Sequence, residues 1–210
     1  MSICKCPAGA ALPSIPQVEC YETFGQIQKA AFQRLTASDG TKNKLTSEAI
    51  VTLASWTPLL TAEDGTKVVV SPYIQAPAQE AGAPRTFGGG NDTLGGIEEI
   101  VGREPSTFTG VLRKIPQNVI KAMKEMQCES WGDNLGVYLF DENGAIECIK
   151  DEQGNCYPIP IRALFIGDKT HGGYDAPDSN SIQWSFLPNY SDDLAIIVPE
   201  FNPLTDLRAQ

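Results

Sequence analysis

Residues 76–105, APAQEAGAPRTFGGGNDTLGGIEEIVGREP, carry no packing periodicity, yet they sit in the middle of a patterned chain. Strand-like runs flank them, KVVVSPYIQ at 67–75 and STFTGVLRK at 106–114. Pro77, Pro84 and Pro105 punctuate the stretch, and Gly88, Gly89, Gly90, Gly95 and Gly96 make its centre glycine-rich. A structureless segment of about 30 residues is uncommon inside a compact domain, where it is a linker or a surface that acts by binding. Its place between two strands makes it an extended hairpin arm rather than a linker. Phe87, Ile97, Ile100 and Val101 find no core within such an arm. They need a neighbour, which points to assembly before catalysis.

The 210 residues suit one domain, long enough to bury about 70 % of its unfolded surface. A hydrophobic content of 41 % fits a folded protein. No apolar run approaches the roughly 18 residues that a membrane span needs. The opening MSICKCPAGAALPSIP has no basic stretch leading into an apolar one, so no secretory signal is expected. The cysteines are then expected as reduced thiols in a cytosol. Cys4-x-Cys6 has ligand spacing without the second cluster that a zinc site requires, and His171 is the sole histidine. No metal or cofactor is expected. Cys148 and Cys156 flank a turn and read as a redox-inert pair of half-buried thiols.

The net charge of −10 is unevenly placed. Residues 1–127 carry twelve acidic and twelve basic side chains; residues 128–210 carry fourteen and four. An acidic surface of this kind repels phosphates, which argues against tight nucleic-acid binding.

The predicted architecture is α+β and predominantly β, a single domain over 1–210. Residues 1–19 form an extended Pro/Ala-rich lead-in. FGQIQKAAFQRL at 24–35 fits helical spacing and a twisted strand equally. A short helix is expected over 46–56, capped by Thr46 or Ser47 and closed before Pro58. Two Asp-Gly-Thr-Lys turns, at 39–42 and 64–67, are expected to share chemistry, with glycine supplying a positive φ. Residues 116–128 give the strongest helix pattern, with Pro116 in its first turn. Val119, Ile120, Met123 and Met126 make one apolar stripe, suited to packing on a sheet. From Leu135 the pattern is β, with hairpin turns at 141–144 and 151–154. Ile182, Trp184 and Phe186 alternate with polar residues as in a half-buried strand.

A search for chemistry returns no catalytic residue. The glycine-rich centre lacks a following GK[ST] and does not join a strand to a helix, so it is no phosphate loop. No GxSxG elbow exists. His171 lies in a Gly-Gly loop near Asp168, Asp175 and Asp178, the setting of a surface or contact residue. An alternative reading as a carbohydrate-binding or hydrolytic β domain would use Trp184, Tyr174 and Tyr190 beside carboxylates, although the alternation around Trp184 favours the core.

Across residues 20–207 the chain resembles the tail tube (major tail) proteins of long-tailed bacteriophages, of the kind carried by Bacteroidetes phages and prophages. The resemblance rests on GQIQKAAFQRL, TKVVVSPYI, APRTFGGGNDTLGGIEEIVGREPSTFTG, LGVYLFDENGAI, YPIPIRALFIGDKTHGGYDAPDSNSIQWSFLPNYSDDL and FNPLTDL. It implies a β-barrel or sandwich with one flanking helix at 116–128 and a long loop between strands. It also implies rings, six-fold in the family, stacked into a tube whose acidic lumen passes genomic DNA without binding it. By the same resemblance residues 76–105 are the stacking loop. Arg85, Phe87, Gly88, Gly89, Gly90, Ile97, Ile100 and Val101 then make inter-subunit or inter-ring contacts. The implied partners are further copies, a tape measure, a terminator and an initiator complex. The implied location is the virion tail, assembled in the host cytoplasm. Another ring-forming tail component is the related alternative: an inner tube of a contractile injection system or a terminator. The Cys-bearing N-terminal segment matches no feature of the family.

Overall fold

A computed structural model describes residues 14–18 and 20–208. The Cys4-x-Cys6 pair and most of the N-terminal lead-in lie outside those residues. In chain order the strands are β1 (Ile27–Arg34), β2 (Leu45–Thr46), β3 (Val68–Val70), β4 (Gln75–Glu80), β5 (Pro84–Gly88), β6 (Glu98–Arg103), β7 (Thr107–Arg113), β8 (Leu135–Asp141), β9 (Ile146–Lys150), β10 (Asn155–Tyr157), β11 (Ile159–Ile166), β12 (Ser179–Phe186) and β13 (Leu194–Ile197). The helices are α1 (Ser47–Ile50), α2 (Leu53–Thr61), α3 (Gln117–Glu125) and α4 (Gln127–Trp131). The fold is α+β and predominantly β.

Eleven strands make one antiparallel sheet, ordered β2-β10-β9-β8-β11-β12-β7-β4, with β1, β3 and β13 joined from the side. β8 is its organising strand. β1 pairs along the whole of one edge, from Ile27 opposite Asp141 to Arg34 opposite Leu135. The other edge is shared: β9 takes Leu139 and Phe140, and β11 takes Leu135 to Val137. The sheet therefore forks at β8.

Every residue of β8 is buried because both faces of the sheet are covered here. Leu135, Val137 and Leu139 enter one core with Ala30, Phe32, Phe108, Trp184 and Phe186. Tyr138 and Phe140 enter a second with Ala31, Trp56, Ile146, Cys148 and Cys156. A strand buried on both faces reads as a continuous apolar run rather than an alternation. Trp184 stacks on Phe108 at 4.0 Å in the first core. Trp56 stands edge-on to Tyr138 at 5.2 Å in the second.

The ambiguous segment at 24–35 resolves as strand β1. Its consecutive Ala30, Ala31, Phe32 and Gln33 are all buried, which suits a strand held between β3 and β8. A helix would bury one stripe only.

The helix expected over 46–56 is instead two. Thr46 caps α1 through its hydroxyl, which accepts from the Ala49 N–H at 3.2 Å. The chain turns at Val51 and Thr52, and α2 continues through Pro58. The Trp56 indole N–H donates to the Ile50 carbonyl at 3.0 Å, tying the second helix to the end of the first. Pro58 lies inside α2 and forfeits one helical bond there.

The flanking helix begins at Gln117, with Pro116 as its N-cap in extended conformation rather than within the first turn. Ile120 and Met123 are buried, and Val119 and Met126 pack beside them on the first core. The helix breaks at Met126 and α4 carries on to Trp131.

The two Asp-Gly-Thr-Lys turns share a carboxylate rather than a glycine conformation. Asp39 accepts from the Thr41 N–H at 2.9 Å, and Asp64 from the Thr66 N–H at 2.8 Å. Only Gly40 of the two glycines is left-handed. Gly65 serves by its size, since a Cβ there would stand 3.0 Å from the Ala37 Cα in the neighbouring turn. At the other end of the chain Leu204 and Leu207 fold back into the second core. Lys29 Nζ donates to the Leu204 carbonyl at 2.7 Å and fixes that return.

Candidate assembly surface

Residues 76–105 have regular backbone for most of their length. β4 pairs with β7 and continues the main sheet, and β5 and β6 then form a separate two-stranded hairpin. The neck between them is narrow: a Cβ on Gly82 would lie 1.9 Å from the Glu104 carbonyl oxygen, so only glycine passes there. The Glu104 N–H donates to the Ala83 carbonyl at 2.8 Å, and the Gly82 N–H to the Ser106 hydroxyl at 3.2 Å. Arg85 and Glu104 approach to 3.7 Å, both exposed. Arg103 reaches out to the Asn189 side chain and braces the base.

The register assigns the hairpin's faces. Phe87 lies opposite Glu99, and Thr86 opposite Ile100, with a bulge at Val101. Directly opposed residues share a face and successive residues alternate. Phe87 and Ile100 therefore mark opposite faces, and both are exposed, as are Ile97 and Val101. At the tip Leu94 is 99 % exposed. A hairpin with apolar side chains on both faces cannot satisfy them by lying flat on its own domain. An isolated two-stranded hairpin is also marginal in water.

The glycine triplet turns the tip. Gly88, Gly89 and Gly90 all have φ between 75° and 100°, which disfavours a side chain at any of the three. Thr93 organises the rest. Its hydroxyl accepts from the Gly89 N–H at 3.3 Å and donates to the Ile97 carbonyl at 2.7 Å. Its own carbonyl receives the Gly96 N–H at 3.0 Å. Neither Thr93 nor Leu94 stands out in the sequence, because a lone threonine and a lone leucine among glycines show no periodicity.

No protein-family model and no curated protein matches the sequence. Among solved structures, one chain of the virion of a native gene transfer agent particle is similar. The match covers 59 % of this chain and 82 % of that one, at 11 % identity and a TM-score of 0.34. A chain of the tail of an empty gene transfer agent particle, refined helically in C6 symmetry, matches over 61 % and 87 %, at 11 % identity and 0.31. Neither likeness bears on what this chain does.

The residues named for chemistry are scattered. His171 pairs through Nδ1 with Asp178 at 3.1 Å on an exposed loop. Asp168 pairs instead with Lys124. Trp184 is core, Tyr190 stacks on Phe186 at 4.4 Å, and Tyr174 stands fully exposed in a loop, so the three make no aromatic pocket. Cys148 and Cys156 are fully buried rather than half-buried. The Cys148 thiol is pushed up by its hydrogen bond to the Cys156 sulfur and by burial. No cluster of three or more metal-ligating side chains occurs among the described residues.

Proposed function

We propose that this chain is a structural tail protein of a phage-like particle, a tail tube subunit that assembles through its arm into stacked rings. One observation carries the reading: a hairpin held away from both cores presents Phe87, Leu94, Ile97, Ile100 and Val101 to solvent. Covering such side chains is worth on the order of 1–2 kcal/mol each. A soluble chain retains an apolar projection of this kind when a partner covers it. The long resemblance of residues 20–207 to tail tube proteins names that partner as another copy.

Under this reading residues 76–105 are the stacking loop, and Arg85, Phe87, Gly88, Gly89, Gly90, Ile97, Ile100 and Val101 lie in the contact between copies. The arm leaves one side of the subunit and docks on another, a heterologous contact that repeats into rings or filaments. The acidic surface suits a conduit for genomic DNA. Tape measure, terminator and initiator are the further tail partners, in a virion assembled in the host cytoplasm.

Removal of residues 87–96 tests the reading. The expected product is a folded subunit with an unchanged melting transition that no longer forms rings or tubes in negative-stain electron microscopy. Tubes of normal length from that variant would remove the arm from the assembly. A terminator would stop at one ring, whereas a tube subunit grows with concentration.

A further inference from the structure

We infer that the cavity between the start of β1, β4 and β9 binds a small organic ammonium ion, an unbranched amine whose charged end meets the Glu147 carboxylate. The site goes beyond the assembly reading and does not depend on it.

The cavity has a volume of about 310 Å³, at the lower end of the range for ligand pockets. Phe24, Ile27, Pro77, Phe108 and Tyr190 give it apolar walls. The fold holds those walls in place. The Gly25 N–H donates to Asp141 Oδ2 at 3.0 Å, and the Gln26 carbonyl accepts the Glu142 N–H at 2.9 Å, which pins the segment leading into β1. Phe108 is stacked on Trp184, and Tyr190 on Phe186. The Gln79 amide donates to the Tyr190 hydroxyl across the mouth of β4. Walls fixed in this way are preformed, so an occupant does not have to order them.

Charge selects the occupant. Glu147 is the one charged residue lining the cavity, and no lysine, arginine or histidine joins it. Ile146 and Cys148 enter the second core, so the alternation of β9 turns Glu147 toward the side of the first. The strand is paired there on both edges, with Leu139 of β8 and Ile196 of β13, so the carboxylate cannot leave with its backbone. It has no salt bridge and no hydrogen bond among the described residues, and the charge that bears on it is the like charge of Glu22. The other titratable groups around it are Tyr190 and, on the far face of its own strand, Cys148. β4 and β7 bring Pro77, Ala78, Gln79 and Phe108, none of which titrates. Buried charges in folded proteins are paired, and here the described residues supply no cation, so the partner comes from outside. One carboxylate among rings falls short of the six or more oxygens that a hard metal cation takes. An ammonium is served by one carboxylate at its end and by ring faces beside it. The volume suits a chain of about four to six carbons, whether a free amine or a lysine side chain.

The test is titration calorimetry on the full chain with n-pentylamine, n-pentanol and Nα-acetyl-lysine amide as probes. At pH 8 n-pentylamine should bind about tenfold more tightly than n-pentanol, since a hydrogen bond between charged groups is worth more than a neutral one. Burial, then Glu22, push the Glu147 carboxyl up to about 7, and the ammonium needs it ionised. Affinity for n-pentylamine should therefore fall about tenfold from pH 8 to pH 6. Glu147→Gln should abolish binding of the amine and its pH dependence in a chain whose melting curve shows it folded. Tighter binding of n-pentylamine than of the lysine amide would assign the site to a free amine, and the reverse order to a lysine side chain. Equal binding of n-pentylamine and n-pentanol, undiminished binding to Glu147→Gln, or no binding of either amine at millimolar concentration would overturn the site. Each of these outcomes leaves arm-driven assembly untouched.

Discussion

Ala163 holds a left-handed backbone, φ 53°, where β11 gains one residue against β12 between Arg162 and Phe165. That bulge sends Leu164 into the core and leaves Phe165 exposed. A Cβ in this conformation is strained, whereas glycine adopts it freely. Ala163→Gly should therefore raise stability by about 0.5–1 kcal/mol, read as a higher denaturant midpoint at unchanged slope. Glu147 is the second residue under strain. It is half-buried on β9, and desolvation first, then the charge of Glu22, push its carboxyl up to about 7. The folded state then binds a proton more tightly than the unfolded chain, so stability falls as the pH rises from the usual carboxylate range to about 7. Above that window the ionised group remains a cost, about 1 kcal/mol once solvent screening is allowed for. Glu147→Gln should abolish this pH dependence and leave the protein more stable than wild type at pH 8, with little difference at pH 4, in chemical denaturation at each pH.

The arm tip has its own internal order, and that order depends on one hydroxyl. Thr93→Val keeps the shape of the side chain but removes the bonds to Gly89 and Ile97. Faster amide exchange is expected at residues 88–97, with the global melting temperature unchanged, because neither core touches the tip. Slower assembly should follow, since a loosened tip must be ordered on docking. The arm was legible in the sequence by what it lacked. Phe87, Ile97, Ile100 and Val101 stand among glycines, prolines and charges where no helical or strand period is sustained, and they are residues left in solvent. Strand β12 and the stripe on α3 were legible because each has one face buried, so the pattern repeats with the element's own period. Strand β1 was not, because neighbours on both edges and both faces erase the alternation. The break between α1 and α2 was hidden too: it rests on the contact of Trp56 with Ile50, and Pro58 pointed the other way. Thr93 was invisible for a related reason: its hydroxyl meets Gly89 and Ile97 only in the folded tip.

At the scale of the whole molecule, charge decides how the surface meets nucleic acid. The fourteen acidic side chains of residues 128–210 include Asp133, Glu142, Glu152, Asp168, Asp175, Asp192, Asp193, Glu200 and Asp206, all exposed. Several cations are already engaged: Arg34 with Glu129, Lys124 with Asp168, Arg162 with Asp133, and Arg85 beside Glu104. Binding to a duplex depends on basic side chains displacing condensed counterions from its phosphates, and a surface of net −10 offers few cations for that exchange. Duplex DNA should therefore show no mobility shift with the protein at 150 mM salt, and none at 50 mM, where screening is weaker and repulsion stronger. Assembly should respond to salt differently. In the proposed assembly the arm brings apolar side chains to the contact, so raising the salt concentration should leave tubes intact. A mobility shift that strengthens as salt is lowered would point to an organised basic patch on this surface and count against a DNA-passing conduit. Tubes that dissolve at 500 mM salt would mean that charge, not the apolar tip, holds the copies together.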